Sequence, residues 1–210
     1  MKKSVLPLAV LLNFIAANAM AATTDLTVTG VITPTACTPT LGNGGVVDYG
    51  TLSLANLEQD TSFYHLPAKT LDLTIDCSAP TNFALIASDN RHDSSGPSNF
   101  QFGLGTHAQQ NLGFYFMSWK QENVLVDGNA GHALTSHDGG NSWSSSILGS
   151  FNDAGKTPEY RSALSSNPGM PSPATNVSVT MDITGMINND LSITENAQID
   201  GSATIEVLYL

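Results

Sequence analysis

The sequence points to an all-β fold, an antiparallel sandwich within one domain, on three grounds. In several stretches apolar residues alternate with polar ones at a period of two, which buries one face of a strand and leaves the other in water. Turn formers separate these stretches, and beyond the N-terminal leader no window of helical length carries an apolar stripe at helical spacing. Only 12% of the 210 residues are charged, against 41% hydrophobic, a composition of short strands and uncharged loops.

The first element is a leader. Lys2 and Lys3 precede an apolar run over residues 5–17, broken only by Pro7 and Asn13, and then Ala19-Met20-Ala21. This is the three-part pattern of a secretory signal peptide. It assigns 1–21 to the leader, with cleavage after Ala21, and 22–210 to one exported domain. An uncleaved anchor needs about 20 consecutive apolar residues, more than this run supplies. Losing Lys2 and Lys3 moves the formal charge from −11 to −13. The remaining cations, Lys69, Arg91, Lys120, Lys156 and Arg161, are scattered, so neither nucleic acid nor an anionic membrane surface is an expected partner. Export also bears on Cys37 and Cys77, because thiols in an oxidising compartment tend to pair. A single disulfide is the simplest outcome. The alternative, a metal or redox pair, has no CxxC partner and no nearby His.

The clearest strands come next. Leu71, Leu73, Ile75 and Cys77 alternate with Asp72, Thr74 and Asp76, and Val177, Val179, Met181 and Ile183 alternate with Ser178, Thr180 and Asp182. Ala203, Ile205, Val207 and Tyr209 repeat the pattern at the C-terminus. Further strands are expected at 26–32, 46–54, 83–87, 100–104, 112–119 and 123–126. Residues 88–99 and 127–173, rich in Gly, Ser, Asn and Pro, read as long insertions between strands.

No reaction centre stands out. The five histidines, His65, His92, His107, His132 and His137, lack the spacing that presents two imidazoles to one metal, so no metal or cofactor is expected. There is no Gly-x-Ser-x-Gly elbow, and Ser88-Asp89-Asn90 lacks a Ser-x-x-Lys partner. The expectation is a protein that is not an enzyme. Phe114 and Phe116 share one face of their strand and Tyr115 the other, a core pattern more than a sugar-stacking platform. Asn176-Val177-Ser178 fits a glycosylation acceptor, but Val177 faces inward.

Ser136-His137-Asp138-Gly139-Gly140-Asn141-Ser142-Trp143 resembles the Asp-box hairpin of sialidases and other secreted β proteins. That likeness implies a turn held by Asp138 with Trp143 packed beneath it. A sialidase reading fails because its acidic sugar is clamped by three arginines, and Arg91 and Arg161 are the two present after the leader. Asp138 and Trp143 remain the candidate ligand loop, with a surface glycan as its partner.

A wider likeness organises the whole chain. Gly30-Val31-Ile32-Thr33-Pro34-Thr35-Ala36-Cys37-Thr38-Pro39, Asn43-Gly44-Gly45-Val46-Val47-Asp48-Tyr49-Gly50 and the alternating strand ending at Cys77 resemble a fimbrial-like domain family of unknown function. That family is related to the chaperone–usher pilin subunits. The resemblance implies an immunoglobulin-like sandwich lacking its last strand, with Cys37 and Cys77 joining its first two strands. The open place is filled by strand addition, from a periplasmic fimbrial chaperone during usher-mediated assembly and then from a neighbouring pilin subunit. It further implies that Ala203, Ile205, Val207 and Tyr209 pair with the chaperone or partner strand.

Two departures stand against the carry-over. Ala197 occupies a position where the family has glycine. If 26–37 is the first strand, only 22–25 remain as an extension, too short to donate a strand, and the chain accepts without giving. The opposing reading makes Leu26 and Val28 donor residues. The expected function is an exported structural or adhesion subunit in the periplasm and on the cell surface, in a fimbrium. The alternative is a stand-alone periplasmic or secreted carbohydrate-binding module, with loops 88–99 and 127–173 as its site. A hydrolase using loop carboxylates is the third class.

Overall fold

The computed structural model describes residues 26–31 and 36–210, so the leader lies outside the described residues. The chain divides into a unit ending at Thr33 and a unit beginning at Pro34. In the first unit, residues 26–31 form no strand, and Leu26, Val28 and Val31 are 89%, 86% and 93% exposed. The second unit carries the sandwich.

Its principal strands are β1 (Cys37–Leu41), β2 (Lys69–Thr81), β3 (Phe83–Asp89), β4 (Gly113–Lys120), β5 (Val124–Val126) and β6 (His132–Ser136). They continue with β7 (Ser144–Ser146), β8 (Leu148–Ser150), β9 (Arg161–Ser165), β10 (Ala174–Asn188) and β11 (Ala203–Tyr209). In the first sheet β1 pairs with β2 and β2 with β10. The far side of β10 takes β5 along Val177 to Val179 and β4 along Asp182 to Ile187. The second sheet runs β7-β6-β9-β3-β11. The named strand pairs in both are antiparallel.

Alternation explains the core. Leu73, Ile75, Val177, Val179 and Met181 point inward from the first sheet and meet Leu85, Ala87, Ala133 and Leu164 from the second. Their polar neighbours pair across the outer face, where the Thr180 hydroxyl donates to Asp72 at 2.6 Å and the Asn176 amide to Asp76 at 2.6 Å. Engaged in this way inside β10, Asn176 is a poor glycosylation acceptor. Trp119 is buried edge-on against Phe151, with ring centroids 5.0 Å apart. Each such aromatic contact adds about 0.5–1.5 kcal/mol beyond area burial. The all-β class and the antiparallel sandwich expected from the sequence are both present.

Four expectations are corrected. The strand at 26–32 is absent over 26–31, and Ile32 lies outside the described residues; the first strand begins at Cys37. Residues 46–50 form no strand either, and Leu54–Asn56 is a 3₁₀ turn. The strand at 100–104 shrinks to Phe102–Gly103. The stretch 127–173 is not an insertion, because it supplies β6, β7, β8 and β9. β6 and β9 lack alternation for a physical reason: Ala133 and Leu134 are both buried, as are all residues from Ser162 to Ser165. With both faces covered, no polar face is needed. The serines satisfy themselves on main chain, Ser162 to the Ser150 carbonyl at 2.8 Å and Ser165 to the Met170 carbonyl at 2.9 Å.

Candidate functional site: a groove between two open edges

β1 ends one sheet and β11 ends the other, and both lie on the same side of the sandwich. Cys37 sits directly opposite Cys77 in the β1–β2 register, and the two form the disulfide. At that end the edges touch, with the Cys37 amide donating to the Tyr209 hydroxyl at 2.8 Å. Toward Leu41 and Ala203 they part, and the apolar interior opens sideways.

Two adjoining cavities occupy the gap. One of about 260 Å³ is walled by Leu41, Leu71, Met181 and Ile183 from the first sheet and by Ala203 and Ile205 from β11. The next, about 570 Å³, continues to Leu66, Leu112, Ile187 and Ile193. Val47, Tyr49 and Ile199 line both. From Met181 to Ile187 along β10 the groove covers six strand steps, or ~20 Å.

The edges of this groove carry free main chain. The Leu210 amide bonds Asn82 and the Ser202 carbonyl accepts from Asn90 on the β3 side. Because main-chain groups alternate along a strand, the even-numbered residues of β11 face β3. Ala203, Ile205, Val207 and Tyr209 therefore turn N–H and C=O toward the open edge. The side chains of Ala203, Ile205 and Val207 pack inward, whereas Tyr209 is half exposed and reaches Cys37. The structure brings these four predicted residues together on one edge.

Two segments flank the groove without strand pairing. Residues 47–52 on one wall and 194–199 on the other make no main-chain hydrogen bond to main chain. Each still directs apolar residues inward, Val47 and Tyr49 from the first and Ala197 and Ile199 from the second, with Ile193 just before it. The Tyr49 hydroxyl is buried without a partner, and burial pushes its pKa up. Lys69 lies 5.9 Å from the centre of its ring. Tyr49 was visible in the sequence only as part of Val47-Asp48-Tyr49-Gly50. The alternation of Leu191, Ile193, Ala197 and Ile199 was a usable signal for the second wall.

Beyond Ile199 an outer cavity of about 560 Å³ is bordered by Asp89, Arg91, His92, Asp93 and Asp200. Arg91 forks onto Asp200, Nε to Oδ2 at 2.8 Å and Nη2 to Oδ1 at 2.9 Å, and this holds the Asp200 carboxyl below the usual carboxylate range. Asp89 is buried, and desolvation raises its pKa although it accepts from the Gly103 and Arg91 amides.

Asp138 and Trp143 stand elsewhere, on the β6–β7 hairpin. Asp138 Oδ1 accepts from Ser136 and from the Ser142 amide, and Oδ2 from the Ser142 hydroxyl. These bonds pull its pKa down to about 2. The Trp143 indole donates to the Gly140 carbonyl at 3.0 Å. Both residues are used within the turn, as the Asp-box likeness implies. The histidines are spread out: His65 bonds Asp60 at 2.8 Å, His92 lies 3.2 Å from Asp93, and His137 packs on Tyr160. Among the described residues no three His, Cys, Asp or Glu side chains gather as a metal site, and no helix is long and apolar enough to cross a membrane.

Comparison with known proteins finds similar sequences. A family described as a protein of unknown function (DUF1120) matches residues 26–102, the part holding β1, the disulfide, β2, β3 and the Tyr49 wall. The chain is similar to the uncharacterized protein YhcF of Escherichia coli (strain K12), 29% identical over 209 residues that cover 83% of this chain and 85% of YhcF. It is also similar to protein GltF of the same strain, 41% identical over 71 residues, 32% of this chain and 28% of GltF.

Proposed function

We propose that this chain is an exported fimbrial-like subunit, structural or adhesive rather than enzymatic, that is completed by a β-strand received from a protein partner. The supporting observation is the groove with free main chain on both sides. An exposed sheet edge beside an open apolar interior is a template for aggregation unless another strand covers it. The occupant that fits is an extended segment with apolar residues at every second position: its main chain pairs with β11 while alternate side chains fill the cavities. A periplasmic fimbrial chaperone supplies that strand first, and an adjacent subunit supplies it after transfer at an outer-membrane usher. The disulfide agrees with an oxidising compartment.

The N-terminus joins this reading. β1 starts at Cys37, the described residues 26–31 lie in no strand, and Leu26 and Val28 stand exposed at alternate positions. That is the pattern of a segment that is given to a neighbour, so the chain both accepts and donates. The reading in which 22–25 is the whole extension loses its basis.

The test is thermal unfolding of the purified oxidised protein with a synthetic peptide of residues 24–33. At a peptide concentration one hundred times Kd, binding adds about 2.7 kcal/mol, a rise of about 5–10 °C for a domain of this size. Ile205→Asp should abolish the rise. An unchanged melting temperature in wild type at millimolar peptide overturns the proposal and favours the lone sugar-binding module.

A further inference from the structure

The wall formed by residues 194–199 is an unusual piece of chain. It runs directly into β11, directs Ala197 and Ile199 into the groove, and yet spends none of its main-chain groups on the rest of the fold. The main-chain hydrogen bonds that anchor it lie beyond its ends. On one side the Asn188 amide bonds Leu112 at 3.0 Å and the Asn189 amide bonds Ser62 at 3.1 Å. On the other, the Asp200 amide bonds Leu104 at 3.0 Å and the Asn90 amide bonds Ser202 at 2.9 Å.

The second attachment carries the Arg91–Asp200 fork. Arg91 is itself held in place, because its amide donates at 2.8 Å to Asp89, a buried carboxylate at the end of β3 whose other oxygen takes the Gly103 amide at 2.7 Å. A planar guanidinium on a fixed backbone matches a carboxylate at two points and so sets direction as well as distance. Close packing leaves little slack beside it: a Cβ at Gly201 would come within 3.0 Å of the Tyr115 ring and 3.1 Å of Leu104.

We propose that Arg91 and Asp200 are positioning residues of the groove, holding residues 194–199 as a preformed edge on which an accepted strand pairs beyond β11. This rests on the strand-accepting reading above and deepens it. The accepted strand then lies between 47–52 and the continuous edge made by 194–199 and β11, which accounts for unpaired main chain on both walls. The ion pair touches no occupant; it acts through the wall it orients. Without it the wall would have to be ordered by each incoming strand, an entropic loss that appears as faster release.

The test compares wild type, Arg91→Met and the exchanged pair Arg91→Asp with Asp200→Arg, all oxidised, using the peptide of residues 24–33. In wild type, bound peptide should slow hydrogen exchange at amides 194–199. Arg91→Met should release peptide about two- to fivefold faster, within the range of exposed ion pairs, with little change in association rate. It should also speed exchange of the Asp200 amide without peptide, and the exchanged pair should restore both. Salt at 1 M should quicken release from wild type and not from Arg91→Met. Binding that raises the melting temperature but leaves 194–199 unprotected overturns this proposal alone, as does unchanged release from Arg91→Met. Failure of wild type to bind peptide overturns the strand-accepting reading, and this one with it.

Discussion

β10 and the segment that follows it carry the same alternation and meet opposite fates. Val177, Val179, Met181 and Ile183 are buried in a strand that has partners on both edges. Leu191, Ile193, Ala197 and Ile199 pack against the same core but only half buried, in a segment with no strand partner. Alternation therefore encodes a face and not a neighbour. In β10 the face and the neighbours are both supplied by this chain. In 191–199 the face is supplied and no strand neighbour is present, which is the physical basis of the proposed strand-accepting reading.

One charge placed in each segment separates the two cases. Met181→Asp sets a carboxylate in the fully buried centre of β10 with no partner, and should cost more than about 4 kcal/mol. Chemical denaturation should show a chain that no longer folds cooperatively. Ile193→Asp meets a half-open cavity and water, and should cost about 1 kcal/mol in the lone protein. If the Ile193 variant lost as much as the Met181 variant, the groove would be a closed part of the core and the comparison would fail.

The same contrast shows what could be read from sequence. β2, β10 and β11 were legible because each has one wet and one buried face, and the β11 limits, Ala203 to Tyr209, match the alternating residues. The β11 residues of the site were legible for that reason. β6 and β9 were hidden because burial on both faces removes the polar half of the signal, and their serines read as loop. Residues 26–31 and 46–54 failed in the opposite sense, since they have the pattern of a strand and no strand partner along the described chain. Arg91 and Asp200 were beyond reach: a contact across more than one hundred positions leaves no mark on local periodicity.

The hairpin from Ser136 to Trp143 is a third arrangement, one that supplies its own partners, and it carries the smallest predicted effect. Asp138 accepts from Ser136 and Ser142 as a carboxylate, so its folded pKa, about 2, lies below the ordinary value of 3.8. Its contribution is then complete above pH 4 and is lost as pH falls through about 2. Because Asp138 is exposed, the change should be local. The Ser142 amide should exchange faster and the Trp143 indole proton should shift over that acid window, while the global unfolding temperature follows the buried groups instead. Asp138→Asn should speed Ser142 exchange at neutral pH and remove the dependence between pH 4 and 2. Since no residue of the hairpin lines either cavity, peptide release from the Asn variant should equal that from wild type. A change in release would mean that the self-sufficient turn and the open edges are coupled.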